Sequence, residues 1–166
     1  MRVFIVVLLV CTVISGCQTE QITYQSPSDE QIDSYISDNN LEPLLIESRE
    51  NYVTILCENS IHSISINKKG KLSRMYSSWS RGNNKMSVLS SSRVNEGKPT
   101  ITVVLHDEEL IAKATKISVT FSDGTLVSEQ IERTRGFILE YPMITTAYKP
   151  YKKIELFQGK NVIFTQ

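Results

Sequence analysis

Lys116-Ile117-Ser118-Val119-Thr120-Phe121, then Ser122-Asp123-Gly124-Thr125, then Leu126 to Ile131: this stretch decides the fold. Ile117, Val119 and Phe121 recur with a period of two, which places them on one face of a strand. Asp123-Gly124 supplies the turn of a tight hairpin, and Leu126 to Ile131 returns from it. Downstream, Gly136 to Tyr141 and Tyr151 to Phe157 read as further strands, and Gln158-Gly159-Lys160-Asn161 turns into Val162 to Thr165. Upstream, Thr100 to Leu105 is β-branched and apolar, and Asp107 to Ala114 reads as a short helix. Short strands with turn signals at close spacing predict a small antiparallel β-sandwich-like, immunoglobulin-like subdomain. It is placed over residues 96–166, with its boundary at the turn Asn95-Glu96-Gly97-Lys98-Pro99. Periodicity does not give the strand order.

Residues 28–95 predict a different subdomain, a short helix followed by a β-meander. Ser28 is a good N-cap, Gln31 stands at the capping-box position, and Asp29 and Glu30 suit the positive helix end. Ile32, Tyr35 and Ile36 make one apolar stripe. Strands follow over Leu44 to Glu47, Tyr52 to Cys57, Ile61 to Ile66 and Lys71 to Tyr76, the last two joined by the turn Asn67-Lys68-Lys69-Gly70. Ser77 to Asn84 is a loop by composition, and Lys85 to Ser92 reads as an edge strand. The expected fold class is therefore mainly β with one N-terminal helix.

The chain opens with Arg2 and an apolar run, Val3 to Ile14, broken only by Thr12. As a helix that run is roughly 18 Å long against a bilayer core of about 30 Å, which favours a secretory signal over a membrane span. Ile14-Ser15-Gly16-Cys17 resembles the lipobox of bacterial lipoproteins. The resemblance implies a diacylglyceryl group on the Cys17 thiol, cleavage between Gly16 and Cys17, and in many bacteria N-acylation of the new terminus. Residues 1–16 are then the signal peptide and 17–27 a lipidated tether. The implied site is the extracytoplasmic face of the cell membrane; Gln18 would also permit outer-membrane sorting in a Gram-negative cell. The covalent lipid is the only cofactor implied. The layout as a whole is similar to small uncharacterised lipoproteins of Gram-positive bacilli. It is carried by the lipobox, Glu50-Asn51-Tyr52, Ile117 to Gly124 and Lys153-Ile154-Glu155-Leu156-Phe157, and it implies no activity.

Removal of the signal leaves one domain, or two small subdomains, able to bury a real core. The zero net charge of the chain gives no global pull toward nucleic acid. Cys11 leaves with the signal and Cys17 is acylated, so Cys57 has no disulfide partner and reads as a buried thiol. His62 and His106 are the only histidines, and His106-Asp107-Glu108-Glu109 does not converge on one ion, so no metal site is expected. No Gly-x-Ser-x-Gly elbow or phosphate loop is present, Asp123-Gly124 reads as a turn rather than a catalytic acid, and Glu129, Glu132 and Glu140 form no evident acid–base pair.

Charge is segregated. Residues 18–58 hold nine acids and one base, Arg49; residues 59–95 hold seven bases, Lys68, Lys69, Lys71, Arg74, Arg81, Lys85 and Arg93, and no acid. Together with Trp79, the single tryptophan, these bases form the candidate binding surface. The sharper reading is a face for anionic lipid or envelope polymer; the plainer one is that the acidic segment folds against the basic one, with Trp79 plugging the end of a sheet. The expected function is a lipid-anchored, non-catalytic binding or scaffolding domain at the bacterial cell envelope. The alternatives are an accessory or immunity-type lipoprotein with one specific protein partner, and an envelope hydrolase.

Overall fold

The computed structural model describes residues 24–92, 98–131, 134–145 and 149–166. The expected signal peptide, the cleavage site Gly16–Cys17, the lipidation site Cys17 and the basic residue Arg93 lie outside them. Among the described residues the chain is mainly β, with antiparallel sheets and two short helices. None of its described helices is long and apolar enough to cross a membrane.

Helix α1 spans Asp29–Asp38 and begins as its sequence requires. The Ser28 hydroxyl accepts from Gln31 N at 3.4 Å and Ser28 N donates to Gln31 Oε1 at 3.0 Å, closing the capping box. At the other end the Asn39 side chain donates to Tyr35 O at 2.8 Å. Ile32 and Tyr35 face inward onto Val53, Ile55, Cys57 and Ile64. That partner face belongs to the first sheet, in which β2 (Pro43–Ser48), β3 (Val53–Cys57), β4 (Ser60–Asn67) and β5 (Leu72–Ser78) follow in order. β1 (Tyr24–Gln25) pairs with Asn67 and Ile66 of β4. β5 takes one edge of β4 over residues 60–66, so β1 lies on the other, beyond the reach of β3. The end of the expected tether is therefore part of the sheet: Pro27 is buried and Ser26 N donates to Glu50 O at 3.2 Å.

The remaining strands form a sandwich. One sheet has the order β10 (Gly136–Glu140), β7 (Pro99–Leu105), β6 (Met86–Ser92); the other has the order β12 (Asn161–Thr165), β11 (Tyr151–Gln158), β8 (Lys116–Phe121), β9 (Leu126–Gln130). Helix α2 (Glu108–Lys113) joins β7 to β8, capped by Asp107, whose carboxylate accepts from Leu110 N. Counted from β6, the first, second and fifth strands share a sheet and the third, fourth, sixth and seventh share the other. This is an immunoglobulin-like order in which the fourth strand pairs with the third. Ile101, Val103, Leu105, Ile117, Val119, Phe121, Phe137, Leu139, Ile154 and Leu156 fill the space between the sheets, all essentially inaccessible. The strand pairing moves the expected subdomain boundary at 95/96. β6 pairs with β7 along its whole length, so the sandwich already includes Met86 and the expected boundary falls between two of its paired strands.

Every residue of β7 is buried because both its faces are covered. Its alternate face, with Thr102 and Val104, turns toward the first sheet. There Gly136, paired with Val104, leaves room for Leu56 and Leu44. The layers therefore run α1, first sheet, second sheet, third sheet. Arg49 ties the first two sheets at the rim, reaching Glu140 Oε1 at 2.8 Å and also pairing with Glu47.

Candidate functional site

β4 separates two regions of interest. At its C-terminal end the hairpin turn to β5 carries Lys68, Lys69 and Lys71, all exposed. The turn is well formed: Asn67 Oδ1 accepts from both Lys69 N and Lys71 N at 3.0 Å, and Gly70 takes φ +71°, which suits glycine. None of these lysines, nor Arg74 on β5, makes an ion pair among the described residues. Tyr24 pairs with Asn67 beside the turn, so the chain from Cys17 enters the domain here.

At the opposite end of β4, about 23 Å away along an eight-residue strand, three elements converge. The β3–β4 turn brings Glu58, the loop after β5 brings Trp79 to Lys85, and the β7–α2 junction brings His106 and Asp107. Trp79 N donates to Asn59 O, and His106 N to Lys85 O at 2.8 Å. Arg81 bridges the elements: its Nη1 donates to Glu58 Oε1 at 3.1 Å and its Nη2 donates to His106 O at 3.1 Å. Lys85 Nζ lies 3.2 Å from Asp107 Oδ2. Arg81, Gly82, Asn83, Asn84, Lys85, His106 and Asp107 line an open, polar hollow of about 490 Å³. Clefts where separate packing units meet are common ligand sites.

His106 is 3% exposed. Its Nε2 is 2.8 Å from Ser87 Oγ, and its Nδ1 lies 3.6 Å from Glu58 Oε1 without a hydrogen bond. Burial holds its pKa below the ordinary imidazole value, with Arg81 acting in the same direction and Glu58 against it. Ser87, His106 and Glu58 thus stand in the order serine, histidine, acid. Ser87 does not line the hollow, however, and its hydroxyl points into the junction of β6 with the β7–α2 turn. The bonded link between the first sheet and the sandwich here is Arg81, which reaches both Glu58 Oε1 and His106 O.

A second buried histidine lies under α1. His62 Nδ1 is 3.0 Å from Tyr35 Oη, its Nε2 is 3.0 Å from Ser60 Oγ, and the Tyr76 ring stacks on it at 5.9 Å. Burial again lowers its pKa, with Arg74 adding to the effect. Cys57 is a free, buried thiol whose pKa burial raises, as its place in β3 led one to expect.

The basic residues expected to act together are therefore divided. Lys68, Lys69, Lys71 and Arg74 belong to the hairpin, whereas Arg81 and Lys85 are engaged by Glu58 and Asp107 at the far end. Trp79 is half-buried, and its Nε1 has no acceptor among the described residues. Glu58, Ser87, Met75 and Tyr76 were not singled out from sequence. Met75 and Tyr76 had one usable signal: adjacent apolar residues in a strand must point to opposite faces. Comparison with known protein families, curated proteins and solved structures finds no match to this chain.

Proposed function

We propose that this chain is a lipid-anchored binding domain of the bacterial cell envelope, held through Cys17 and presenting its β domain to a partner. The observation that carries the reading is the placement of β1. Tyr24 and Gln25 pair with Asn67 and Ile66, so the described chain begins at the Asn67 end of β4, the end away from the Trp79–Lys85 loop. From Cys17 to Tyr24 the chain reaches at most about 25 Å, so the anchor sets which end of the domain meets the membrane. Two or three acyl chains suit stable attachment, since each buried methylene contributes about 0.8 kcal/mol. The division of the basic segment favours a partner over a polyanion, because Arg81 and Lys85 already have carboxylate partners.

The test is mass spectrometry of the amino-terminal peptide from cells, with and without Cys17→Ser. The expected result is a peptide beginning at Cys17 and carrying a diacylglyceryl mass, and membrane release of the variant. An unmodified Cys17 in exported protein would overturn the reading.

A further inference from the structure

We infer that β5 is a docking edge that captures an extended acidic segment of a partner protein by strand addition. The inference rests on the reading of this chain as a binding domain and names the partner's chemistry. β5 pairs with β4 in unbroken register from Ser60↔Ser78 to Ile66↔Leu72, and no described strand pairs with its other edge. Asn67 N donates to Lys71 O at one end of this ladder and Trp79 N to Asn59 O at the other. Hydrogen-bonded pairs alternate along an antiparallel ladder, so residues 73, 75 and 77 bond inward to β4. Leu72, Arg74, Tyr76 and Ser78 therefore turn their N–H and C=O groups to the open edge.

Two of the devices that usually blunt an edge, proline and a bulge, are missing from this one. Among the other edge strands, β2 and β12 belong to pairs with a register shift and β6, β9 and β10 do not. β5 also carries exposed apolar side chains: Met75 and Tyr76 are each 68% exposed, on opposite faces of the strand. A partner strand laid along it would cover both while pairing the free backbone groups, the usual chemistry of strand addition.

Charge selects the occupant. Arg74 lies within the edge, Lys71 immediately before it and Lys68 and Lys69 in the adjoining turn, and β5 carries no acid. A flat anionic membrane fits less well, because Glu30 and Asp38 line the groove beside Gly70 and Leu72 and oppose it. A second copy would pair antiparallel, sending the two β1 segments to opposite ends of the joined strands, which suits one membrane poorly. An extended segment alternating acidic and apolar side chains answers both features, the exposed Met75 and Tyr76 and the bases Arg74 and Lys71.

The probe is a capped seven-residue peptide alternating valine and glutamate, titrated into the full acylated chain in detergent micelles. Its counterpart with lysine for glutamate is the control. Affinity and amide hydrogen exchange are read together. The expected result is saturable binding of the glutamate peptide alone, with protection of the Arg74 and Tyr76 amides. Tyr76→Pro removes an outward N–H that β4 does not use, a position where a strand tolerates proline, and should weaken binding about tenfold or more. Arg74→Gln, which leaves the backbone intact, should weaken it as well. Equal binding of the lysine peptide, no saturable binding, or an affinity indifferent to both variants would overturn the inference. So would a dimer in sedimentation equilibrium that Tyr76→Pro abolishes, or binding to phosphatidylglycerol vesicles lost only on Lys68→Glu. Peptide failure with Cys17 acylated refutes strand addition and leaves the anchored reading standing.

Discussion

Gly136→Ala tests how the first sheet is seated on the sandwich. A Cβ at Gly136 would lie 2.8 Å from Leu56 Cδ2 and 3.3 Å from Leu44 Cβ. Carbon atoms at rest sit about 3.5–4.0 Å apart, so the new atom intrudes by roughly 0.7 Å or more on Leu56. Leu56 has no accessible surface and cannot swing into solvent, and Leu44 Cβ moves only with the backbone of β2. The expected cost is that of overpacking, about 1–3 kcal/mol. For a chain of this size that corresponds to a Tm lower by about 2–12 °C, measured by circular dichroism and by denaturant midpoint. Leu56→Ala alone leaves a cavity, with an expected cost of about 2–5 kcal/mol. Combined, the two changes should cost less than their sum, because the added methyl occupies space the leucine vacated. A Gly136→Ala protein as stable as the parent, or strictly additive effects in the double variant, would show that β10 and β3 are not in the contact described.

Two further outcomes follow from the same packing. His62 and His106 have folded-state pKa values held below the ordinary 6.5, so the unfolded chain takes up protons first as pH falls. Their contribution is intact above about pH 6.5 and is lost as pH falls through the lowered folded values, at most about 1.4 kcal/mol per pH unit for each histidine. His106→Gln should flatten the fall in denaturant midpoint between about pH 6.5 and 5, and an unchanged profile would contradict the burial argument. Asp123 extends the decline below its ordinary 3.8, since Lys149, the Tyr141 hydroxyl and Thr125 N hold its carboxylate well below the usual range. Ser28→Ala removes the α1 cap at a cost of about 1 kcal/mol. Because α1 covers Cys57, that thiol should then react faster with a disulfide reagent, and an unchanged labelling rate would mean that α1 does not gate it.

Strands were legible where one face met the core. Ile117, Val119 and Phe121 announce β8 because their neighbours Ser118 and Thr120 lie on the outer face of the sheet. Ser28 and Gln31 announce α1 because both ends of the capping box lie within four residues. The sandwich boundary was misplaced for the opposite reason. Asn95 to Pro99 has turn composition, but composition cannot tell a turn inside a sheet from a linker between two. Only the pairing of Met86 with Leu105 makes β6 the first strand of the sandwich. The basic segment was open to two readings, a binding surface or a counterpart to the acidic segment. β4 and β5 carry Lys68 and Arg81 to opposite ends of a hairpin, a separation that spacing in the sequence does not reveal. Glu58, distant in sequence from His106, could not be joined to it without the packing of the first sheet on β7.

β4 gives the proposed roles a common geometry. One of its edges holds β3 and, past Ile64, β1; among the described residues the other holds only β5. Under the anchored reading, the tether and the docking edge thus lie on opposite sides of a single buried strand. A partner strand added to β5 would leave β1 in place, and tension on the tether would load β1 and the Asn67 turn before reaching the β5 edge. Moving the anchor to the β5 side would bring the tether's own backbone within reach of the open groups of Leu72, Arg74 and Tyr76. Placing β1 on the far edge keeps those groups available to another chain, and this arrangement of edges, more than the identity of any one side chain, makes the hairpin suited to capture.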